Sequence, residues 1–273
     1  MHTIKSLYYH NPSVQGFEKM VAYYQKRGYR FIDLQELYDI LGKRKPLTEK
    51  LAFVSFDDGW QGNLQLISII ERYQVPICIF VATEPLESGN FWWEYVTKYM
   101  GVKKMFQFKN LPYGEFYKQL TEIKQQITLN RSAMTKEQMI DLAKHPLVTI
   151  QSHTVNHPIL TNSPDDVLDM ELKSSKETLE AYTGNQVYAF SYPNGSLTSR
   201  EVDACKRYYK LAFTTEQRHI KLSDDLFLLP RYALTGQYYR DLLKIWGIWK
   251  WIKTLTLYMN RGIGCMLIIG GLF

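Results

Sequence analysis

Two adjacent carboxylates follow an apolar run in the string Phe56-Asp57-Asp58-Gly59. Adjacent residues at a strand end can turn to different sides of a site, so one acid can bind a metal while its neighbour stays free to move a proton. An Asp-Asp-Gly turn that only caps the next helix has the same composition and is the alternative. A second group is His153-Thr154-Val155-Asn156-His157-Pro158, again after an apolar run. Histidines four apart can set both rings on one side of a helical turn, as metal ligation requires. Two imidazoles and one carboxylate form an N2O set suited to zinc or another divalent transition metal with positions left open for water. The third group is Phe190-Ser191-Tyr192-Pro193-Asn194-Gly195, where Pro and Gly make a tight turn whose backbone N–H groups can face a developing oxyanion.

Such groups need rigid elements beneath them, and the chain alternates regularly. Residues 7–9 read as a strand, Ser13 as the N-cap of a helix carrying Phe17, Met20, Val21 and Tyr24, and Gly28 as its stop. Residues 30–32 read as a strand, Asp33 caps a helix through Leu37 and Leu41, and Gly42 ends it. Residues 51–56 predict a buried strand, 64–73 a helix and 77–81 another strand. Residues 85–130 loosen into an aromatic-rich, partly helical excursion that includes Phe91, Trp92, Trp93, Tyr95 and Phe116. Regularity returns with a helix opening at Thr135, a strand at 147–151, a helix at 164–182 closed by Gly184, a strand at 187–191, a helix ending at Tyr208 and a strand at 210–214. About seven strand–helix units predict an α/β chain with a largely parallel sheet closed into a barrel, the doubly wound open sheet being the alternative. All three chemical strings then stand at C-terminal strand ends, the face where such a barrel gathers its site.

The composition agrees. The chain has 273 residues, 45% hydrophobic, 14% aromatic and 22% charged, with 10 prolines, which excludes a disordered or collagen-like protein. Cys78, Cys205 and Cys265 have no paired spacing, so they indicate neither a disulfide framework nor a thiolate metal site and read as buried thiols. The net charge of +6 is unevenly placed: residues 238–273 carry Arg240, Lys244, Lys250, Lys253 and Arg261 against Asp241, a net +4 that leaves +2 for residues 1–237. A body so nearly balanced, without a basic stripe, predicts no nucleic-acid partner. No basic region leads into an apolar run of signal-peptide length, so a cytoplasmic location is expected. The expected organisation is a catalytic barrel over residues 1–237 and a hydrophobic, basic tail over 238–273. In that tail Trp246, Trp249 and Trp251 interleave with lysines, and the final run, 263–273, is shorter than the about 20 residues that span a bilayer. Contact of residues 242–273 with a membrane surface, making the protein peripheral to the inner face, and cover for the barrel or a partner subunit are both open readings.

Taken in order, the three strings resemble the NodB-type polysaccharide deacetylases, carbohydrate esterase family 4, over residues 6–234. The resemblance implies a distorted (β/α)7 barrel and metal-dependent hydrolysis of an N-acetyl group from an amino sugar of a polysaccharide. The same chemistry would serve another N-acyl group, such as formyl, or a lipid-linked glycan. It implies Asp57 as general base, Asp58, His153 and His157 as ligands of a divalent metal with zinc foremost, and the turn at Tyr192, Pro193, Asn194 and Gly195 as backbone of an oxyanion hole. Two departures stand out. The family commonly has an arginine two residues before the proline of that turn, orienting the base, and here the position is Ser191. Arg231, in Leu229-Pro230-Arg231-Tyr232, is the expected substitute, because a guanidinium holds a carboxylate in a bidentate pair; an ordinary structural ion pair is the alternative. The family's acid histidine, normally in a Leu-x-x-His segment near the end of the domain, has its counterpart at the start, in Leu7-Tyr8-Tyr9-His10. First and last strands of a closed barrel are neighbours, so His10 is the expected proton donor, with His219, in an expected surface loop, as the alternative. Trp60, Trp92, Trp93, Tyr192 and Pro193 are expected against the sugar, with core or lid packing as the plainer reading of each aromatic ring. A catalytically silent glycan-binding barrel is the competing function; it would need the aromatic surface but not a base, metal triad and acid together.

Overall fold

The computed structural model of the chain describes residues 3–247. Most of the tail, with Trp249, Trp251, Cys265 and the run 263–273, lies outside the described residues.

β1 (Thr3–Tyr9) leads into α1 (Val14–Lys26), which starts where the Ser13 hydroxyl accepts from the Gly16 N–H. β2 (Arg30–Phe31) and the Asp33-capped α2 (Leu34–Leu41) precede β3 (Leu51–Asp58), a strand buried along its whole length. A 3₁₀ segment (Gln61–Leu66) and α3 (Ile67–Tyr73) stand where one helix over 64–73 is expected, and β4 (Ile77–Val81) follows. The aromatic excursion resolves into α4 (Glu84–Ser88), α5 (Trp92–Met100), α6 (Val102–Phe108) and α7 (Tyr113–Gln126). The last three of these share an apolar cluster of their own, including Trp92, Val96, Phe108, Phe116 and Leu120. α8 (Lys136–Ala143), opened by a capping box between Thr135 and Gln138, leads to β5 (Val148–Ser152). α9 (Asp165–Thr183) leads to β6 (Ala189–Ser191), and α10 (Ser199–Lys206) to β7 (Leu211–Phe213). β8 (Ile220–Lys221), β9 (Tyr232–Ala233) and α11 (Tyr238–Ile245) complete the described chain.

The strands β7, β6, β5, β4, β3 and β1 lie side by side and parallel. Residues 229–234 close the ring. On one side the Leu229 N–H bonds to the Ala212 carbonyl at 3.0 Å and the Thr214 N–H to the Leu229 carbonyl at 2.8 Å. On the other side β9 pairs parallel with β1, and the Leu234 N–H reaches the Tyr8 carbonyl at 2.8 Å. Six strands and this composite edge make the barrel that the alternation predicts, in the distorted (β/α)7 form that the family resemblance implies, while β8 adds an antiparallel pairing at the start of β1.

Strand alternation decides what faces inward. Along β3, Leu51 and Phe53 join the cluster that fills the barrel with Cys78, Phe80, Ala189, Leu211 and Phe213, whereas Ala52, Val54 and Phe56 face the helices. Ser55 and Asp57 share the inward parity of Phe53. Cys78 and Cys205 are buried thiols, and burial raises the Cys205 pKa to about 12, which leaves it protonated and inert. α11 is tied to the barrel by Asp241, whose carboxylate accepts from the Thr235 and Gly236 N–H groups at 2.9–3.0 Å. Among the described residues no helix is long and apolar enough to cross a membrane.

Candidate active site

Arg231 enters the barrel from the closing segment and is fully buried. Its guanidinium lies over an aromatic floor, 4.3 Å from the Tyr8 ring centroid and 5.4 Å from those of Phe80 and Phe213. Burying a cation costs several kcal/mol unless it is paired and hydrogen-bonded. Here it is both. Nη1 donates to Asp57 Oδ1 at 2.8 Å and to Ser55 Oγ at 3.0 Å, Nη2 to Asp57 Oδ2 at 2.9 Å and to Ser191 Oγ at 2.7 Å, and Nε to the Thr214 carbonyl at 3.3 Å. The small hydroxyl at Ser191, where the resembling family has its arginine, thus becomes an acceptor for a guanidinium arriving from another strand. Burial pushes Asp57 toward its neutral form, and the Arg231 charge, with smaller help from His153, outweighs it and holds the carboxyl below the usual range.

Asp58 ends the same strand with a left-handed backbone, φ 80°, which breaks the strand alternation, and its side chain lines the same cavity as Asp57. Among the described residues six non-glycines have positive φ, and four of them, Asp58, Thr154, His157 and Asn194, stand at this rim; each such conformation costs about 1–3 kcal/mol that surrounding bonds must offset. Asp58 Oδ2 accepts from the Trp60 indole N–H at 2.8 Å. Its Oδ1 is buried with no hydrogen-bond partner and lies 3.4 Å from His153 Nε2 and 3.5 Å from His157 Nε2. His153 Nδ1 is 2.7 Å from the Ser191 carbonyl, which can only accept, so in the neutral ring Nε2 carries the lone pair. Burial, with the neighbouring His153, pushes His157 down to about 4 and keeps it neutral. An orphaned carboxylate oxygen facing two imidazole nitrogens at ligand-to-ligand spacing fits a divalent metal.

The loop between the two histidines is held from α9. Glu171, fully buried, accepts from the Val155 N–H at 2.8 Å, the Asn156 N–H at 3.0 Å and Asn156 Nδ2 at 2.8 Å. The Thr154 hydroxyl accepts from the His157 N–H at 2.9 Å. Glu171 does not figure among the candidates drawn from the sequence, yet a signal exists. Leu168, Glu171, Leu172, Ser175 and Leu179 form one buried stripe of α9, and a glutamate within an apolar stripe must have partners waiting.

These groups open into one cavity of about 580 Å³, lined also by His10, Asn194, Trp60 and Trp93 and by Met105, Phe106 and Lys109 of the α5–α6 segment. His10 ends β1 at the rim, with its carbonyl accepting from Asn63 Nδ2 at 2.8 Å. His219 is elsewhere: it is half-buried rather than in an open loop, its ring 4.5 Å from Tyr232 and its Nδ1 accepting weakly from the Ser6 N–H at 3.4 Å. Trp93 lies edge-on to His157 at 4.7 Å between ring centroids. Three of the residues expected against the sugar are buried. Tyr192 borders the cavity but is only 1% exposed, because it continues the outward parity of Phe190 and packs against it at 5.2 Å, so its ring offers no open face for stacking. Pro193 is buried beneath the turn and does not line the cavity. Trp92 also borders the cavity but is 5% exposed, seated in the excursion's core, and its indole N–H donates to the His157 carbonyl at 3.0 Å, which braces that backbone.

Comparison with known proteins bears on the family and the fold. A family model described as polysaccharide deacetylase matches residues 44–212. YxkH of Bacillus subtilis (strain 168), whose assignment as a polysaccharide deacetylase is provisional, is 22% identical over 221 residues, or 80% of this chain. The matched region spans 64% of that relative's length. Among solved structures, Streptococcus pyogenes deacetylase PplD in complex with acetate aligns with a TM-score of 0.64 at 20% identity, covering 89% of this chain and 96% of its own. IcaB from Ammonifex degensii aligns with a TM-score of 0.66 at 19% identity, covering 90% and 97%. At such identities the two structures share the fold.

Proposed function

The chain belongs to the polysaccharide deacetylase family, and from that premise we propose that it is a metal-dependent hydrolase, zinc being the ion, which removes an N-acetyl or other N-acyl group from an amino sugar of a glycan. The observation that carries the reading is the juxtaposition, in one cavity, of the Arg231-held Asp57 and the Asp58, His153 and His157 donor set. Asp58, His153 and His157 would hold the ion, and a divalent metal there supplies polarisation of the acyl oxygen and acidification of a water.

The chain's own residues do the rest. Arg231 occupies both Asp57 oxygens, fixing the carboxylate's plane while leaving lone pairs free. Held ionised and fixed in plane by Arg231, the Asp57 carboxylate is placed to accept a proton from the attacking water. Asn194, exposed at the rim with φ 55°, presents backbone N–H to the developing oxyanion. His10, on the same rim, gives the amine its proton as the C–N bond breaks. Trp60 and Trp93 offer half-buried faces to the sugar ring.

The test is an assay of acetate and formate release from N-acylated oligosaccharides, with metal content measured on the same sample. Asp57→Asn is expected to retain metal and lose roughly two to four orders of magnitude in turnover. Parallel loss of metal would make Asp57 a ligand, and unchanged turnover would remove it from the reaction.

A further inference from the structure

One wall of the cavity is both apolar and open to solvent. The inner faces of α5 and α6 are sealed by the excursion's own core, but on the outside Tyr99, Val102 and Phe106 are 45%, 56% and 53% exposed. Val102 and Phe106 are one helical turn apart and share a face, and Lys109 Nζ stands 5.5 Å above the Phe106 ring. From residue 95 to residue 114 the chain has four lysines, Lys98, Lys103, Lys104 and Lys109, and no carboxylate. Phe106 and Lys109 also line the catalytic cavity, so this lip runs directly into the site.

Protruding apolar tips beside uncompensated cations select among occupants. A neutral glycan would use the rings but leave the lysines idle. An anionic bilayer surface uses both, because apolar side chains enter the headgroup boundary while lysines meet lipid phosphates. We propose that the α5–α6 corner docks on an anionic lipid surface and so brings the cavity mouth to N-acylated sugars presented at a membrane. The docking stands on the lip alone; the choice of sugar substrate rests on the deacylase reading.

The experiment is co-sedimentation of the full chain with phosphatidylcholine vesicles, with and without phosphatidylglycerol. The probe variant is Val102→Ser/Lys103→Gln/Lys104→Gln, three exposed positions that do not line the cavity. Wild type is expected to partition onto the anionic vesicles, less so in high salt, and the variant to lose tenfold or more of that partition, since each lysine near such a surface contributes about fivefold. Equal binding to both vesicle types, no binding by wild type, or unchanged binding by the variant would each overturn the proposal, the last by assigning contact to another part of the chain. Chemical denaturation certifies the variant's fold, and Lys103→Gln/Lys104→Gln alone carries the test if the triple variant is unstable. Acyl release from a soluble oligosaccharide is read separately, so failure of the deacylase reading leaves the vesicle result intact.

Discussion

Glu171 does not line the cavity, but two backbone N–H groups and the Asn156 side-chain amide donate to it, holding the loop that carries His157 in a left-handed conformation. Partners behind metal ligands commonly contribute one to two orders of magnitude in affinity. Glu171→Ala is therefore expected to weaken metal binding on the order of tenfold, as read by chelator competition, and Glu171→Gln, which keeps an acceptor, to recover most of it. Leu172→Ala, its buried neighbour, should lower stability by about 2–5 kcal/mol and leave metal affinity near wild type. If Leu172→Ala weakens metal binding as much as Glu171→Ala, the effect is general loosening of α9 and the positioning role fails. At this scale the acids and imidazoles that the fold brings together at the cavity were legible because they stood directly after apolar runs. Arg231 was legible for the same reason, as the one guanidinium after a strand-like run with a carboxylate to hold. Orientation was less so: the outward parity that buries Tyr192 follows from counting by two from Phe190, a step that a turn at Pro193 obscures.

The barrel closes where the chain after β9 meets the start of α1. Ser13 Oγ donates to the Gly236 carbonyl at 3.1 Å while accepting from the Gly16 N–H at 3.2 Å, so three segments meet at one hydroxyl. In an open helix, glycine to alanine gains up to about 1 kcal/mol in propensity. At Gly16 a Cβ would overlap the Gly236 carbonyl oxygen, and backbone cannot rotate away as a flexible side chain could. Overpacking of this kind costs about 1–3 kcal/mol, so Gly16→Ala should be destabilising despite its better propensity, with a lower denaturation midpoint at unchanged slope. A midpoint at or above wild type would show that the closure yields easily. The strands that build the ring were legible as apolar runs of three to six residues, and α1, α2 and α8 by their caps. The excursion resisted tracing because three of its four helices have nine residues or fewer and are broken by turns such as Gly101, leaving too few periods to register. Closure by residues 229–234 is a tertiary event: two residues of β9 have no local signature, and only the pairing with β1 gives them a place.

Across the whole molecule, stability draws on ionisable groups held in one state by burial, and their pH response can be separated residue by residue. Arg231 and Asp57 sit at the centre of the barrel, and His153 and His157 are buried beside them, so wild-type stability alone mixes several protons. His219 lies apart from that cluster, against β1, where burial and then the nearby Lys5 charge push it down to about 3 from an ordinary 6.5. Between those values the unfolded chain binds a proton that the folded chain refuses. Stability from this group is therefore complete above pH 6.5 and is lost progressively as pH falls toward 3. The slope is at most about 1.4 kcal/mol per pH unit, and partial exposure of the ring reduces it. His219→Asn keeps an acceptor for the Ser6 N–H and has no proton to gain. In metal-free protein, the difference in unfolding free energy between variant and wild type, from urea denaturation, should shift in the variant's favour as the pH is lowered from neutral into the acidic range. Taking this difference cancels the contributions of His153, His157 and Asp57, which both proteins share. A gap that stays constant with pH would show that His219 is as easily protonated in the fold as out of it, and that its contact with β1 does not discriminate between its charge states.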